Sequence, residues 1–307
     1  MMQLMTVRYV IAVAEAGSFT KAAEQLYVSQ PALSQAIARL ERELKVSIFR
    51  RDHGTVTLTP AGQILVDEGK QMLELEKNIR HRLSDLSQAG TGNLVVGGAP
   101  TYQRYYLSWV ISAFQSKYPN VQITLQESYS NKLCQELVKG RVDVALICEP
   151  FPEGMETLPV FQEEIFLALP PNHPLVKQLP RDGDPYPMAD LSLCRNESFI
   201  TFRPGRRITD ILLRETARAG FKPRILTECL STESANTMIH HGFGVGLIPS
   251  TTVKLCPEHQ HARYYRLQPG GLMRQYALAR RAGGYSSRAQ SEFMRVAEQL
   301  NWDWTQL

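Results

Sequence analysis

Between Ser29 and Arg51 the chain carries side chains that suit hydrogen bonding to the bases and phosphates of a nucleic acid. Gln30 and Gln35 each hold an amide with a donor and an acceptor side by side, and Ser34 adds a hydroxyl. Groups of this kind can read the edges of DNA bases, whereas arginines pair with phosphate oxygens. The arginines of the stretch are Arg39, Arg42, Arg50 and Arg51. These residues are candidate nucleic-acid contacts, and the alternative is an ordinary solvated helix face.

Short helices would have to position these side chains. The apolar spacing near the N-terminus predicts a helix that ends at Gly17, which can take the left-handed conformation. Ser18 or Thr20 then caps a second helix, and Ser29 caps a third that has Pro31 in its first turn. The buried stripe expected on the third helix is Leu33, Ile37, Leu40 and Leu44. Two helices in such close succession predict a helix-turn-helix, whose second helix enters the major groove, although a surface helix pair in a bundle has the same spacing.

A hairpin and one long helix follow. The turn at Asp52-His53-Gly54 lies between residues that alternate through Val56 and Leu58, which predicts a small hairpin or wing. From Pro60 to Ala89 the pattern is helical throughout. Its heptad positions hold Leu65, Met72, Ile79 and Leu86, with Leu75 between them. A seam of this kind predicts a short coiled coil, for which pairing with a second copy is the natural use.

Past residue 90 the architecture changes. Short apolar strands alternate with helical segments from Leu94 to Cys148, and a second series of the same kind runs from Glu164 to Pro249. A last strand, "QYALAR", precedes an amphipathic helix that carries Phe293 and Leu300. Alternation of this kind predicts an α/β region.

Composition limits the class of protein. A chain of 307 residues exceeds the usual size of a single hydrophobic core, and no apolar run is long enough to span a membrane. The N-terminus has no charged region before its apolar part, so a cytoplasmic location is expected. Five scattered cysteines without a C-x-x-C pair favour reduced thiols over disulfides, and a net charge of +4 allows an anionic partner.

Motifs for cofactors, metals and catalysis are weak or missing in the sequence. The alternate glycines of "HGFGVG" follow a helix and precede a strand, which is the reverse of the dinucleotide-binding order. Cys256, His259 and His261 could supply three metal ligands, but no fourth ligand stands nearby. A G-x-S-x-G elbow, an H-E-x-x-H helix and a phosphate-binding loop are also missing. The prediction is therefore a non-enzymatic protein without a metal or a cofactor.

The sequence resembles a known family along essentially its whole length. The run "GSFTKAAEQLYVSQPALSQAIARLERELKVSIFRR" followed by "LTPAG" is similar to the N-terminal signature of LysR-type transcriptional regulators. Farther along, "YPNVQITLQE", "LVKGRVDVALI", "LPPNHPL" and "MIHHGFGVGLIPS" resemble the effector domain of that family, in the expected order. The resemblance implies an α/β protein with an N-terminal all-α winged helix-turn-helix and a periplasmic-binding-protein-like effector domain of two α/β subdomains.

The resemblance also implies domain limits. A winged helix-turn-helix would occupy residues 1–60 and a dimerising linker helix residues 61–90. An effector-binding domain would fill residues 91–307. Within it, subdomain I would take about 91–163 and 267–307, and subdomain II about 164–266.

For the DNA-binding part, the residues that match those at the DNA in the family are Gln30, Pro31, Ser34 and Gln35. The full set expected at DNA is Ser29, Gln30, Pro31, Ser34, Gln35, Arg39, Arg42 and Arg51. Two features depart from the family. Wings of the family often carry arginine where Asp52, His53 and Gly54 stand here, so a minor-groove contact by the wing is not expected. Lys45 replaces the usual glycine after the third helix, which adds a cation near DNA and removes a favoured helix terminator.

Family effectors bind between the two subdomains, where strand ends face one crevice. Thr101 in "GGAPTY" would present a hydroxyl beside free backbone N–H groups at a helix start, an arrangement that suits an anion, although it could also serve only as a cap. Of the three arginines around Gly205, only Arg203 is kept, because exposed arginines are usually solvated. The expected effector residues are Pro100, Thr101, Ser128, Ser130, Cys148, Thr201, Phe202 and Arg203.

The function implied is that of a cytoplasmic transcription factor that responds to a small, anionic effector. Its expected partners are double-stranded DNA with a dyad-like site, the effector, and further copies of the chain in a homodimer or homotetramer. RNA polymerase is a further candidate partner, and no membrane association is expected. The alternative class is a solute-binding protein or an enzyme on the same α/β scaffold, in which the N-terminal helices serve only assembly.

Overall fold

The structure is a computed structural model that describes residues 3–52, 55–86, 92–179, 185–257, 261–283 and 285–300. The chain divides into two compact units, Met1–Ala89 and Gly90–Leu307. Each unit has its own buried apolar core. No helix among the described residues is both long and apolar enough to cross a membrane.

The N-terminal unit is helical with one small hairpin. Its elements are α1 Leu4–Ala16, α2 Phe19–Gln25, α3 Gln30–Leu44, β1 Phe49–Asp52, β2 Thr55–Leu58 and α4 Pro60–Leu86. Gly17 ends α1 at a φ of 60°, and the Ser18 and Ser29 hydroxyls accept hydrogen bonds from the amides of Lys21 and Ala32. These caps fix α2 and α3 in close succession and confirm the predicted helix-turn-helix. The antiparallel pairing of β1 with β2 forms the predicted hairpin, whose tip, His53 and Gly54, lies outside the described residues.

The buried stripe of α3 is one residue shorter than the sequence predicts. Leu33, Ile37 and Leu40 are buried against α1 and α2, whereas Leu44 is 42% exposed. The reason is that α3 ends at Leu44 and the next residue, Lys45, turns the chain at a φ of 56°. Leu44 therefore lies beyond the reach of the core.

Helix α4 has two apolar faces. Val66 is buried in the core of the N-terminal unit, and Leu65 and Leu73 pack against the same core. The large apolar side chains that stay exposed are Ile64, Met72, Leu75, Ile79 and Leu83. The predicted heptad seam is therefore wrong at Leu65, because the side chain of Leu65 packs against the core of its own unit. The side chain of Leu86 lies outside the described part of the chain.

The C-terminal unit contains one large sheet with helices on it. The strands are β3 Gly92–Gly98, β4 Val121–Glu127, β5 Val144–Cys148, β6 Met155–Leu169, β7 Ser198–Phe202, β8 Arg224–Cys229, β9 Val245–Pro249, β10 Arg263–Tyr265 and β11 Leu272–Arg281. The helices are α5 Pro100–Tyr102, a π-helical turn Gln103–Leu107, α6 Ser108–Lys117, α7 Ser130–Val138, α8 Arg207–Arg218, α9 Thr232–His240, α10 Ser250–Leu255 and α11 Arg288–Gln299, with 3₁₀ turns at Pro174–Lys177 and Leu191–Cys194.

The strand order β4-β3-β5-β11-β6-β9-β7-β8, with β10 beside β6, produces two halves joined by two strands. Strands β3, β4 and β5 run parallel in the β3–β5 half, and β7, β8 and β9 run parallel in the β7–β9 half. The chain passes between the halves along β6 and β11, which pair antiparallel from Leu272 opposite Ile165 to Arg281 opposite Met155. Their register shifts between Tyr276 and Ala277. Each half has its own apolar core.

Strand β6 is longer than the sequence indicates. The apolar run from Glu164 predicts only its second part, whereas the strand begins at Met155. Residues in the first part alternate between exposed and partly buried, because β11 covers one edge and solvent reaches one face. A half-exposed strand carries too few apolar residues to stand out in the sequence.

Candidate functional sites

The first candidate site is the exposed face of α3. Gln30, Pro31 and Gln35 are exposed near its N-terminus, and Ser34 is half-buried between them. Arg39 and Arg42 are exposed farther along the helix. The structure therefore places amide, hydroxyl and guanidinium groups on a surface that can meet a polar partner. Ser29 is the cap of this helix, and Arg51 lies in β1 with its side chain outside the described part.

Tyr27, in the turn between α2 and α3, is a feature that the sequence reasoning missed. Its φ of 54° is unusual for a bulky side chain, and the residue is 97% exposed. A left-handed residue at this point lets the chain reverse between two closely spaced helices. No glycine or asparagine marked the turn, so the sequence held no signal for it.

The second candidate site is a cavity of about 420 Å³ in the C-terminal unit, with walls from both of its halves. Four of the residues expected at an effector line it: Pro100, Thr101, Ser130 and Cys148. They stand at or just after the ends of strands β3, β4 and β5, whose carboxyl ends meet at one edge of the sheet. The rule that ligands gather at such strand ends thus identified one wall of the cavity.

The other four expected residues do not line this cavity. Thr201 and Phe202 are buried in the β7–β9 half, where Thr209 of α8 donates a hydrogen bond to the Phe202 carbonyl. Arg203 is exposed to solvent, and Ser128 uses its amide to continue the strand pairing with Gly98. The strand-end rule failed here because β7 ends inside the core and the cavity wall begins a few residues later.

Arg206 and Arg207 form that wall, whereas the sequence predicts that they are solvated. The guanidinium of Arg206 lies 3.5 Å from the ring centre of Tyr129 and donates to the Leu230 carbonyl at 2.7 Å. Arg207 donates to the Pro150 carbonyl at 3.1 Å, and its Nε is buried without a hydrogen-bond partner. Burial lowers the pKa of Arg206 from its usual value. Within the described residues no carboxylate forms an ion pair with either arginine.

A third arginine of the cavity has a very different environment. Arg274 of β11 is 6% exposed and Glu163 of β6 is 2% exposed, and Arg274 Nε donates to Glu163 Oε1 at 2.5 Å. The hydroxyls of Tyr102 and Thr251 donate to the same carboxylate at 2.6 and 2.5 Å. Burial of Tyr102 raises the pKa of its phenol well above the usual value. Burial disfavours the charged form of Arg274, but the combined attraction of Glu163, Tyr276 and Tyr102 outweighs it and raises the arginine pKa.

This buried network joins both halves and both crossing strands. Tyr102 belongs to the β3–β5 half, Thr251 to the β7–β9 half, and the charged pair to β6 and β11. No local pattern in the sequence marks the pair, because 111 positions separate its two residues and only the sheet brings them together.

Direct hydrogen bonds also cross the cavity from one half to the other. The Thr101 hydroxyl donates to Glu233 Oε1 at 2.9 Å, and the Tyr129 hydroxyl donates to the Leu230 carbonyl at 2.9 Å. The amide of Asn131 donates to the Gly205 carbonyl at 2.7 Å. The walls of the cavity are therefore held together by polar contacts rather than by an apolar core.

The charges on the cavity wall favour an anion. The lining cations are Arg104, Arg206, Arg207 and Arg274, and Glu233 is the one carboxylate among the described lining residues. The aromatic rings of Tyr102, Tyr129 and Tyr276 provide flat apolar surface beside them. A small molecule with a carboxylate or phosphate group and an apolar body fits this combination.

Thiol or metal chemistry finds less support in this unit. Burial raises the pKa of the Cys148 thiol, which lines the cavity, to about 11, so the reactive thiolate is disfavoured. Within the described part of the chain no group of three or more histidine, cysteine, aspartate or glutamate residues is arranged to hold a metal ion. His259, one of the three ligands weighed from the sequence, lies outside that part.

A helix-turn-helix unit followed by an α/β unit with a ligand-sized cleft defines the class of ligand-responsive transcriptional regulators. Comparison with known families agrees with this class. Residues 4–63 match the family model for bacterial regulatory helix-turn-helix proteins of the lysR family, and residues 87–301 match the LysR substrate binding domain. The chain belongs to the LysR family of transcriptional regulators.

Similar proteins support the same assignment. A probable RuBisCO transcriptional regulator of Trichormus variabilis is 31% identical over 251 residues, which cover 80% of this chain and 73% of that protein. The transcriptional regulator YcgK of Bacillus subtilis is 29% identical over 260 residues, or 81% of this chain and 80% of the relative. Among solved structures, a full-length OxyR variant from Pseudomonas aeruginosa superposes with a TM-score of 0.65 at 26% identity, covering 97% of this chain and 95% of that one.

Proposed function

We propose that this LysR-type regulator binds a small anionic effector in the cavity and that the effector alters its binding to DNA. The observation that carries the proposal is the pair Arg206 and Arg207, which face the cavity without a carboxylate partner among the described residues. A buried or half-buried guanidinium left without a counter-charge gains from an anion that pairs with it. The site of action is the cytoplasm, because the partner is DNA.

The effector would bridge the walls of the cavity. Pro100, Thr101, Ser130 and Cys148 supply one wall, and Arg206 and Arg207 supply the other. A ligand bound to both walls favours the arrangement of the halves in which it makes the most contacts. It can change DNA binding only by its different affinities for two such arrangements.

On the DNA side, we assign base reading to Gln30, Ser34 and Gln35, and phosphate contacts to Arg39 and Arg42. Pro31 and Ser29 shape the start of α3, from which the glutamines project. Since the exposed face of α4 suits a homodimer or a higher oligomer, two such helices would contact a dyad-like site.

The effector proposal is tested by changing Arg207→Met in the full-length chain. Phenylacetate, succinate and inorganic phosphate serve as probes in a thermal-shift titration, because each offers an anionic group of a different shape. We expect at least one probe to stabilise the natural chain and Arg207→Met to weaken that probe about tenfold or more. Arg203→Met is the matched control, because Arg203 is exposed and does not line the cavity. If both variants weakened binding of the probe equally, Arg207 could not be assigned to the wall that binds the effector.

The DNA assignment is tested by binding to a set of promoter fragments. Gln30→Ala should reduce the preference of the protein for one DNA sequence over another. Arg42→Ala should weaken binding to all fragments alike and reduce the slope of log K against log salt concentration by about one. A uniform loss caused by Gln30→Ala would contradict base reading by that residue.

A further inference from the structure

We propose that Glu233 is an intramolecular competitor of the effector and thereby sets which anions the cavity accepts. The inference rests on the proposed effector site and adds a specificity-determining residue to it. Glu233 lies opposite Thr101, the residue whose hydroxyl the sequence assigned to the effector. In the structure that hydroxyl already has a carboxylate partner.

The contact has the geometry of a built-in ligand. The Thr101 hydroxyl donates to Glu233 Oε1 at 2.9 Å, which is the length of an ordinary charge-assisted hydrogen bond. Thr232 lies within 3.4 Å of the second carboxylate oxygen. Glu233 is in the first turn of α9, where the partial positive charge of the helix start stabilises an acid. The carboxylate is therefore held in place from its own side and reaches across the cavity.

The negative charge of Glu233 affects how the cavity binds anions. Glu233 is the sole carboxylate among the described residues that line the cavity, and Arg206 and Arg207 of the wall supply its attraction for anions. A second carboxylate that approached Thr101 would meet the negative charge of Glu233 at close range. Glu233 is exposed, so water screens part of this repulsion, but two carboxylates a few ångströms apart still repel each other.

Binding therefore becomes an exchange. When an effector carboxylate takes the Thr101 hydroxyl, Glu233 must leave it, and the hydroxyl keeps one anionic acceptor throughout. The exchange conserves the hydrogen bond but breaks a link between the β3–β5 half and the β7–β9 half. Glu233 would lower the affinity for every simple acid and favour those that bind the arginine wall strongly enough to displace it.

The test uses the full-length chain and two glutamate variants. Phenylacetate, succinate and inorganic phosphate are titrated by calorimetry at fixed ionic strength. Glu233→Gln removes the charge while keeping the size, and we expect it to tighten phenylacetate binding roughly three- to tenfold, as expected for one unit charge removed a few ångströms away in a partly solvated site. Glu228→Gln, an exposed carboxylate on β8 of the same half, is the matched control and should leave the affinity unchanged.

Other results distinguish the two proposals. If the natural chain binds phenylacetate and Glu233→Gln binds it equally or more weakly, the competition is overturned while the effector site stands. If neither chain binds any of the three probes, the effector site fails and the competition fails with it.

A measurement without ligand checks the contact itself. Thermal unfolding of Thr101→Val, Glu233→Ala and the double variant gives the coupling between the two residues. We expect the double variant to lose less stability than the sum of the single variants. Additive losses would show that the two side chains do not interact and would overturn the competition, whatever the binding data.

Discussion

At the scale of single residues, the arginines of the cavity show how the same side chain serves two purposes. Arg274 is buried, and Glu163 on the neighbouring crossing strand balances its positive charge. Arg206 and Arg207 are held by carbonyl groups and a tyrosine ring, which position a guanidinium without cancelling its charge. The attraction for an anion therefore resides in the second pair.

The buried pair leads to a prediction about stability. Glu163→Gln leaves Arg274 charged and buried without its counter-ion, and we expect it to lower the free energy of unfolding by about 3–5 kcal/mol. Replacing both residues, Glu163→Leu with Arg274→Met, should recover much of that loss because no buried charge remains. Urea unfolding of the three chains measures the difference. A loss below about 1 kcal/mol for Glu163→Gln would contradict the description of the pair as desolvated.

The raised pKa of Cys148 leads to a prediction about reactivity. At pH 8 the thiolate fraction of a thiol with a pKa of about 11 is roughly a hundredfold smaller than that of an ordinary cysteine. Alkylation of Cys148 by iodoacetamide should therefore be slow at pH 8 and rise as the pH approaches 11. Mass spectrometry of the labelled peptide measures the rate. Rapid labelling at pH 8 would show that the thiol is not desolvated.

Four of the expected effector residues lie at the cavity wall because a local rule located them, and their contact with an effector stays a prediction. Pro100, Thr101, Ser130 and Cys148 stand just after or at the ends of strands, and that position is readable along the chain. Contacts such as that of Thr101 with Glu233 depend on how two distant segments meet in the fold. The spacing of residues along the chain does not predict such a meeting. The sequence could not show that Arg206 and Arg207, and not Arg203, line the cavity, because all three are arginines near Gly205 and the start of α8 decides which of them face it.

At the scale of elements, α3 ends in an unfavourable way for its sequence. Lys45 takes the left-handed conformation that glycine adopts without strain. We expect Lys45→Gly to raise the free energy of unfolding by about 0.5–1 kcal/mol, because the strain of a side chain at this φ disappears. Lys45→Ala is the control, since it removes the charge and keeps the Cβ. If both variants change stability equally, the backbone is not the cause.

Helix α4 carries the prediction for assembly. Leu75 and Leu83 are 61% and 62% exposed on one face of it, and an apolar stripe of this kind is typical of a helix that pairs with another. Glu substitutions at both positions should weaken self-association at least about tenfold, because charges would be buried in the seam. Sedimentation velocity measures the change. Lys70→Glu changes the charge by the same two units at an exposed position away from that face and should leave the association intact.

The elements themselves were largely readable from the sequence. Capping residues such as Ser18 and Ser29 and the terminator Gly17 act within one turn of the chain, so α1, α2 and α3 could be placed closely. The start of β6 could not, because its first part is shaped by pairing with β11 more than a hundred residues away. Leu65 was misassigned for a related reason: a heptad pattern does not tell which apolar face the core of the same unit will occupy.

At the scale of the whole molecule, the chain is built from two units with separate cores. The apolar cluster of the N-terminal unit and those of the C-terminal unit share no residue. We expect the fragment Gly90–Leu307 to fold alone, to keep the thermal shift caused by an anionic probe, and to lose binding to DNA. Circular dichroism and the thermal-shift titration check the first two points, and gel-shift assays check the third. A fragment that stays folded but no longer responds to any probe bound by the full chain would place the effector elsewhere.

The register shift between Tyr276 and Ala277 has a mechanical consequence for the C-terminal unit. It interrupts the ladder of β6 and β11 next to two cavity residues, Arg274 and Tyr276. The shift bends and twists the two strands locally, at a point where β11 also pairs with β5 through Tyr276 and Ala277. A molecule bound in the cavity against Tyr276 would therefore contact that bend directly, without any relay through the rest of the sheet.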